Sequence, residues 1–133
     1  MLSAHAPTAS HILLVEDEAV LRELAAENLA DAGYSVVEAG DGAAGLEALQ
    51  SDIRIDVLLS DIKLPGMNGY ELAEAGKALR PDLKVILMTG YAPAPLPPTL
   101  ERVVYHVLQK PFALEMLPGM IAAALDKPEA GPA

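Results

Sequence analysis

Cysteine is absent from the 133 residues, which excludes disulfides and metals held by thiolates. That absence fits a reducing compartment. Tryptophan is absent too, and the only aromatic rings besides histidine are one phenylalanine and four tyrosines, so a core must be built from aliphatic side chains. Positive charge is scarce: nine Lys and Arg stand against nineteen Asp and Glu, a formal net charge of −10. Such a surface repels phosphate backbones, so no nucleic-acid partner is expected. No apolar run approaches the roughly 20 residues that span a bilayer, and no basic-then-apolar leader is visible. No membrane association is expected, and a cytoplasmic location is.

What is present suits one domain: 52% of the residues are hydrophobic, enough to bury a core. Residues 1–10 are rich in Ala, Ser, Thr and Pro and predict a flexible tail, as do residues 127–133 with two prolines and a glycine. The folded unit is expected over residues 11–126. Short apolar runs predict buried strands at Ile12–Val15, at Val57–Leu59 after Ile55, at Val85–Met88 and at Val103–Leu108. Tyr34–Glu38 alternates more and suits a strand nearer an edge. Continuous apolar strands need cover on both faces, as in a parallel sheet.

Helical patterns lie between these runs. Glu18–Ala32 puts Leu21, Leu24, Ala25 and Leu29 on one side, with Gly33 placed to end the helix. Asp41 can cap a helix through about Leu49, and Asn68 with Glu71 reads as a capping box for a helix to about Leu79, stopped by Pro81. Phe112–Leu125 predicts the last helix, with Pro118 marking a kink or a late start. Alternation of this kind gives a right-handed, doubly wound α/β sandwich. A fourth helix is missing where one is due, because Pro93, Pro95, Pro97 and Pro98 crowd six residues. Proline removes amide donors and fixes φ, so at best a short turn is expected from Thr99 onward.

Ligands of open α/β sheets sit outside the carboxyl ends of the strands. The first strand ends in Glu16 and Asp17, the third in Ser60 and Asp61, the fourth in Thr89 and Gly90, the fifth in Gln109 and Lys110. Strands side by side would gather three carboxylates, which repel one another unless they surround a hard cation such as Mg²⁺. Mg²⁺ is what phosphoryl transfer requires, and a carboxylate can be its nucleophile. Singly, each residue reads as a solvated strand end, a turn residue or a surface charge. The joint occurrence favours chemistry.

Four motifs carry a resemblance to response-regulator receiver domains over about His11–Leu125. They are Leu14-Val15-Glu16-Asp17-Glu18, Leu59-Ser60-Asp61 with Leu64-Pro65-Gly66-Met67-Asn68-Gly69, Met88-Thr89-Gly90, and Lys110-Pro111-Phe112. The resemblance implies a flavodoxin-like five-stranded parallel sheet of order 2-1-3-4-5, here with the fourth helix short or absent. It implies Asp61 as phosphoacceptor, Asp17 as a direct Mg²⁺ ligand, Glu16 acting through a water, and the Lys63 backbone carbonyl on the metal. Thr89 and the Gly90 amide would take phosphoryl oxygens. So would Lys110, whose bond to Pro111 is cis in the family. Lys63 and Tyr91 sit where the family tunes phosphate hydrolysis. The implied partners are a histidine kinase or histidine phosphotransfer protein and an unknown downstream protein. The chain itself would be a monomer or weak dimer, and not an enzyme in the usual sense.

The sequence also departs from the family. The aromatic often found three residues before the lysine is Val107 here, so the common threonine–tyrosine switch cannot operate in its usual form. Strand alternation would send Tyr105 and His106 to opposite faces, leaving neither as a substitute. Thr89-Gly90-Tyr91 and Val107-Leu108-Gln109-Lys110-Pro111-Phe112 resemble stand-alone receivers typical of alphaproteobacteria, which usually have Phe-Ala where this chain has Leu87-Met88. Receivers of hybrid kinases share the Leu-Gln-Lys-Pro-Phe ending and are the competing subtype. With no further domain expected, output would pass through a partner protein or a phosphate relay. The loop from Gly90 to Arg102 is expected to be mobile until phosphoryl oxygens engage Thr89.

Other classes fit less well. An Mg²⁺-dependent phosphatase with an aspartate nucleophile needs a carboxylate two residues on, where this chain has Lys63. A receiver reduced to an interaction module would not need the intact acidic, hydroxyl and lysine set. A nucleotide-binding domain would need a Gly-rich loop after the first strand. His5, His11 and His106 lie at no ligand spacing.

Overall fold

A computed structural model describes residues 10–90 and 95–126. Five strands alternate with helices: β1 (His11–Val15), α1 (Ala19–Asp31), β2 (Ser35–Ala39), α2 (Gly42–Gln50), β3 (Val57–Asp61), α3 (Gly69–Leu79), β4 (Lys84–Thr89), β5 (Val104–Gln109) and α4 (Leu117–Asp126). All strand pairs are parallel, in the order β2-β1-β3-β4-β5. The alternating strand is therefore an edge, as its pattern predicts. The tails expected at 1–10 and 127–133 lie, Ser10 apart, outside the described residues.

Side-chain alternation divides the core in two. Leu13, Val15, Leu58, Val85 and Leu87 face a layer completed by Leu49 of α2 and Leu72 and Ala73 of α3. Ile12, Leu14, Leu59, Ile86 and Met88 face α1 through Ala25, Ala26 and Leu29, and α4 through Leu117, Ile121 and Ala124. Both faces are covered, which is why the central strands read as unbroken apolar runs. Truncating a fully buried residue such as Leu58 to alanine would cost about 2–5 kcal/mol.

Local sequence explains the helix ends. Asp41 accepts a hydrogen bond from the Ala44 amide at 2.8 Å and caps α2. Asn68 and Glu71 form the full capping box of α3, at 2.9 and 3.0 Å. Gly33 follows α1 with φ of +101°, a conformation that other residues adopt only at a cost. The last helix starts late: a 3₁₀ turn covers Leu114–Met116, and Pro118 is the second residue of α4, where a missing amide costs nothing.

Among the described residues, the connection from β4 to β5 contains one 3₁₀ turn, Pro98–Leu100, in place of a fourth helix of ordinary length. Leu100 is fully buried against the α3 side of the core, and Thr99 Oγ1 donates to Glu74 Oε2 at 2.8 Å. Residues 91–94 of the loop expected to be mobile, with Tyr91 among them, lie outside the described residues.

The expected placing of Tyr105 and His106 needs correction. The β4–β5 register passes from Val85↔Val104 to Ile86↔His106, so Tyr105 is an extra residue in β5. This β-bulge breaks simple alternation. The two rings lie 6.5 Å apart, tilted by 51°, and do not point to opposite faces. The bulge also re-phases the strand: Val104 and Val107, an odd number of residues apart, pack against the same layer.

Candidate functional site

The chain leaves each strand at the same edge of the sheet, so residues far apart in sequence converge there. Glu16 and Asp17 follow β1, Asp61 ends β3, Thr89 ends β4 and Lys110 follows β5. Hydrogen bonds fix these ends. The Lys110 amide donates to the Thr89 carbonyl at 2.7 Å and the Ile62 amide to the Met88 carbonyl at 2.9 Å. Buried Ser60 donates through Oγ to the Asp61 carbonyl at 2.9 Å. The Gly69 amide donates to the Ile62 carbonyl at 2.7 Å, drawing the start of α3 against the end of β3. The Lys110–Pro111 bond is cis.

Carboxylate oxygens of Glu16, Asp17 and Asp61 lie within 4.8 Å of one another. Lys110 Nζ stands 2.7 Å from Glu16 Oε1 and 2.7 Å from Asp61 Oδ1, and so bridges two of them. A cleft of about 390 Å³ opens above, lined by Asp17, Asp61, Lys63, Thr89, Gly90 and Lys110 together with Leu64, Pro65 and Met88. Glu16 lies beneath, 1% exposed.

Crowded carboxylates in a poorly solvated place cannot all ionise freely. Burial pushes Asp61 up, and Glu16 pushes the same way by hydrogen bond and charge; Lys110 opposes both, and the carboxyl settles at about 7 against an ordinary 3.8. Burial also acts to raise Glu16, but its hydrogen bonds with Asp61, Lys110 and the Glu18 amide prevail and hold it below the ordinary 4.5. Lys110 is held above 10.5, because its two carboxylate partners outweigh the effect of burial.

Every residue expected at the site and described by the structure is there: Glu16, Asp17, Asp61, Lys63, Thr89, Gly90 and Lys110. The two histidines that the structure describes are not. His11 opens β1 at the opposite end, 3.8 Å from Asp56, His106 is exposed on β5, and His5 lies outside the described residues. Two features had no clear sequence signal. Lys110 bonds Glu16 as well as Asp61, and Arg22 of α1 donates to the Glu16 carbonyl at 2.8 Å.

Residues 12–122 match the family described as the response regulator receiver domain. The chain belongs to that family, whose members serve two-component signalling. Among curated relatives, it is 39% identical to the response regulator receiver protein CpdR of Brucella abortus over 80% of this chain and 88% of that one. It is 31% identical to the transcriptional regulatory protein FixJ of Bradyrhizobium diazoefficiens over 92% of this chain, yet spans only 60% of that protein. Among solved structures, it is similar to a CheY-like receiver domain protein of Methanospirillum hungatei, with a TM-score of 0.78 at 30% identity over 90% of this chain and 95% of that one. The receiver domain of the hybrid histidine kinase CckA matches with a TM-score of 0.76 at 31% identity, covering 88% of this chain and all of that one. Among the described residues, no helix is long and apolar enough to cross a membrane.

Proposed function

We propose that the chain is a phosphoacceptor switch whose Asp61 takes a phosphoryl group from a phosphohistidine donor in a Mg²⁺-dependent reaction. The observation that carries this is the meeting of Asp61 with Lys110 Nζ at 2.7 Å inside a cluster of three carboxylates that borders a cleft. An Asp61 carboxylate oxygen attacks phosphorus. The O–P bond forms as the donor's N–P bond breaks, and the electron pair of that bond returns to the imidazole. Lys110, already on Asp61, follows the charge onto a phosphoryl oxygen. The Thr89 hydroxyl and the Gly90 amide line the same cleft and take the other oxygens.

The donor set fits a hard divalent cation: oxygen atoms only, clustered, with one carboxyl pushed to about 7 by burial and by its acidic neighbour. Asp17, Asp61 and the Lys63 carbonyl would hold Mg²⁺, with buried Glu16 acting through a water. The ion supplies neutralisation of charge on the transferring oxygens. The donor would be a histidine kinase or histidine phosphotransfer protein in the cytoplasm, and the output a protein contact or a relay step. Resemblance to CpdR over 88% of that chain supports a stand-alone receiver. The likeness to the CckA receiver domain keeps origin in a hybrid kinase as the second reading.

Incubation with acetyl phosphate and Mg²⁺, read by intact mass, tests the proposal. Wild type should gain one phosphoryl group and Asp61→Asn none. Turnover of phosphomonoesters without a lasting adduct would instead favour a phosphatase.

A further inference from the structure

Glu16 and Asp17 lie on the turn from β1 to α1, whereas Asp61 lies within a strand. Side-chain capping does not hold that turn. Glu18, in the N-cap position of α1, makes no side-chain cap, and the first turn of the helix carries no acidic residue. The Glu16 amide still finds the Ala39 carbonyl at 3.1 Å, but Ala39 ends β2, so the Glu16 carbonyl projects past that strand. Arg22 supplies its donor: Nη1 stands 2.8 Å from the Glu16 oxygen, a bond that closes the turn over six residues. The same guanidinium reaches Glu38 on β2, Nε to Oε1, at 3.5 Å. Gly40 leaves the room it needs, since a Cβ there would stand 3.2 Å from Nη1. At the other end of Glu16, Oε2 accepts from the Glu18 amide at 3.0 Å. With its carbonyl tied to α1, the side chain of Glu16 can reach both the Glu18 amide and Lys110.

The geometry points to Arg22 as a positioning residue that sets the Glu16–Asp17 turn and, through it, the acidic cluster. The inference rests on reading that cluster as the Mg²⁺ site. A charged donor is stronger than a neutral one, and groups that orient metal ligands commonly change affinity by about tenfold or more when lost.

Arg22→Met keeps the apolar stem and removes the donors. In metal-free protein it should speed hydrogen exchange of the Glu18 amide, which is bonded to Glu16 Oε2, by roughly fivefold, while Leu58 and Leu59 in β3 stay protected and report an intact fold. Mg²⁺ affinity by calorimetry should fall about tenfold, and Arg22→Lys should restore part of both effects. Glu38→Gln should leave Mg²⁺ affinity unchanged, because it loosens only the tie to β2. Unaltered Glu18 exchange in Arg22→Met would overturn the inference, and so would a Glu38→Gln variant that weakens Mg²⁺ as strongly. Wild type that binds no Mg²⁺ would sink the metal reading, whereas the exchange measurement in metal-free protein judges Arg22 by itself.

Discussion

Lys110 Nζ lies 2.7 Å from Glu16 Oε1, a contact between residues 94 positions apart in the chain. It lies as close to Asp61, so one ammonium is shared by two buried carboxylates. Replacing Lys110 by methionine keeps the stem and leaves those carboxylates facing each other. The loss should be about 1–3 kcal/mol at pH 8, less than for a sealed ion pair because the lysine is 23% exposed and Asp61 can take up a proton. Urea denaturation would measure it. Acceptance of phosphate from acetyl phosphate should fall steeply in the same variant.

Asp61 makes metal-free stability depend on pH. Its carboxyl is raised from 3.8 to about 7 in the fold, so folding favours the protonated form, and this contribution is lost as pH rises through 7. Glu16 is lowered from 4.5 and loses its contribution only as pH falls below that value; Lys110 is raised above 10.5 and acts only in strong base. Between pH 5 and 8 the slope therefore belongs to Asp61. Wild type in chelator should be less stable at pH 8 than at pH 5, by about 1–2 kcal/mol after allowance for its coupling to Glu16. Asp61→Asn should flatten the slope, and Mg²⁺ should stabilise wild type most at the higher pH. Denaturation curves at the two pH values would show a flat wild type if the assignment is wrong.

Gly69 is required by a close approach. A Cβ there would collide with the Asp61 carbonyl and stand 2.8 Å from Ile62 Cα, both backbone atoms that cannot swing aside. Gly69→Ala should cost about 2 kcal/mol or more and slow phosphorylation by displacing Asp61. A variant with wild-type stability and rate would show that the start of α3 moves without disturbing β3.

Arg80 offers a control far from the chemistry. Its Nε donates to the Leu49 carbonyl at 3.1 Å and its Nη2 to the Ser51 carbonyl at 2.9 Å, so the end of α3 covers the end of α2. Arg80→Ala should cost about 1 kcal/mol in thermal or urea unfolding. Mg²⁺ affinity and phosphorylation should remain at wild-type values, and a change in either would connect this end of the fold to the site.

Most of the fold was legible because its signals are local. Apolar runs of the right length became the strands, Asp41 and the Asn68–Glu71 pair became caps, and the proline cluster left no ordinary fourth helix in the described residues. The site was legible for another reason. Parallel strands deliver their carboxyl ends to one edge, so Asp17, Asp61, Thr89 and Lys110 needed only correct strand ends to meet. What stayed hidden depends on distant neighbours. The bulge at Tyr105 comes from a mismatch with β4, and alternation within β5 alone gives the wrong phase. Arg22 reads as an ordinary polar helix residue until the Glu16 carbonyl is seen to outrun β2.

The bulge has a consequence for assembly. An outermost strand normally exposes a regular row of amides and carbonyls, a template onto which a strand from another molecule can zip. With Tyr105 inserted, the spacing along β5 is irregular and its twist is increased. Self-templated growth of the sheet at that border is thereby discouraged.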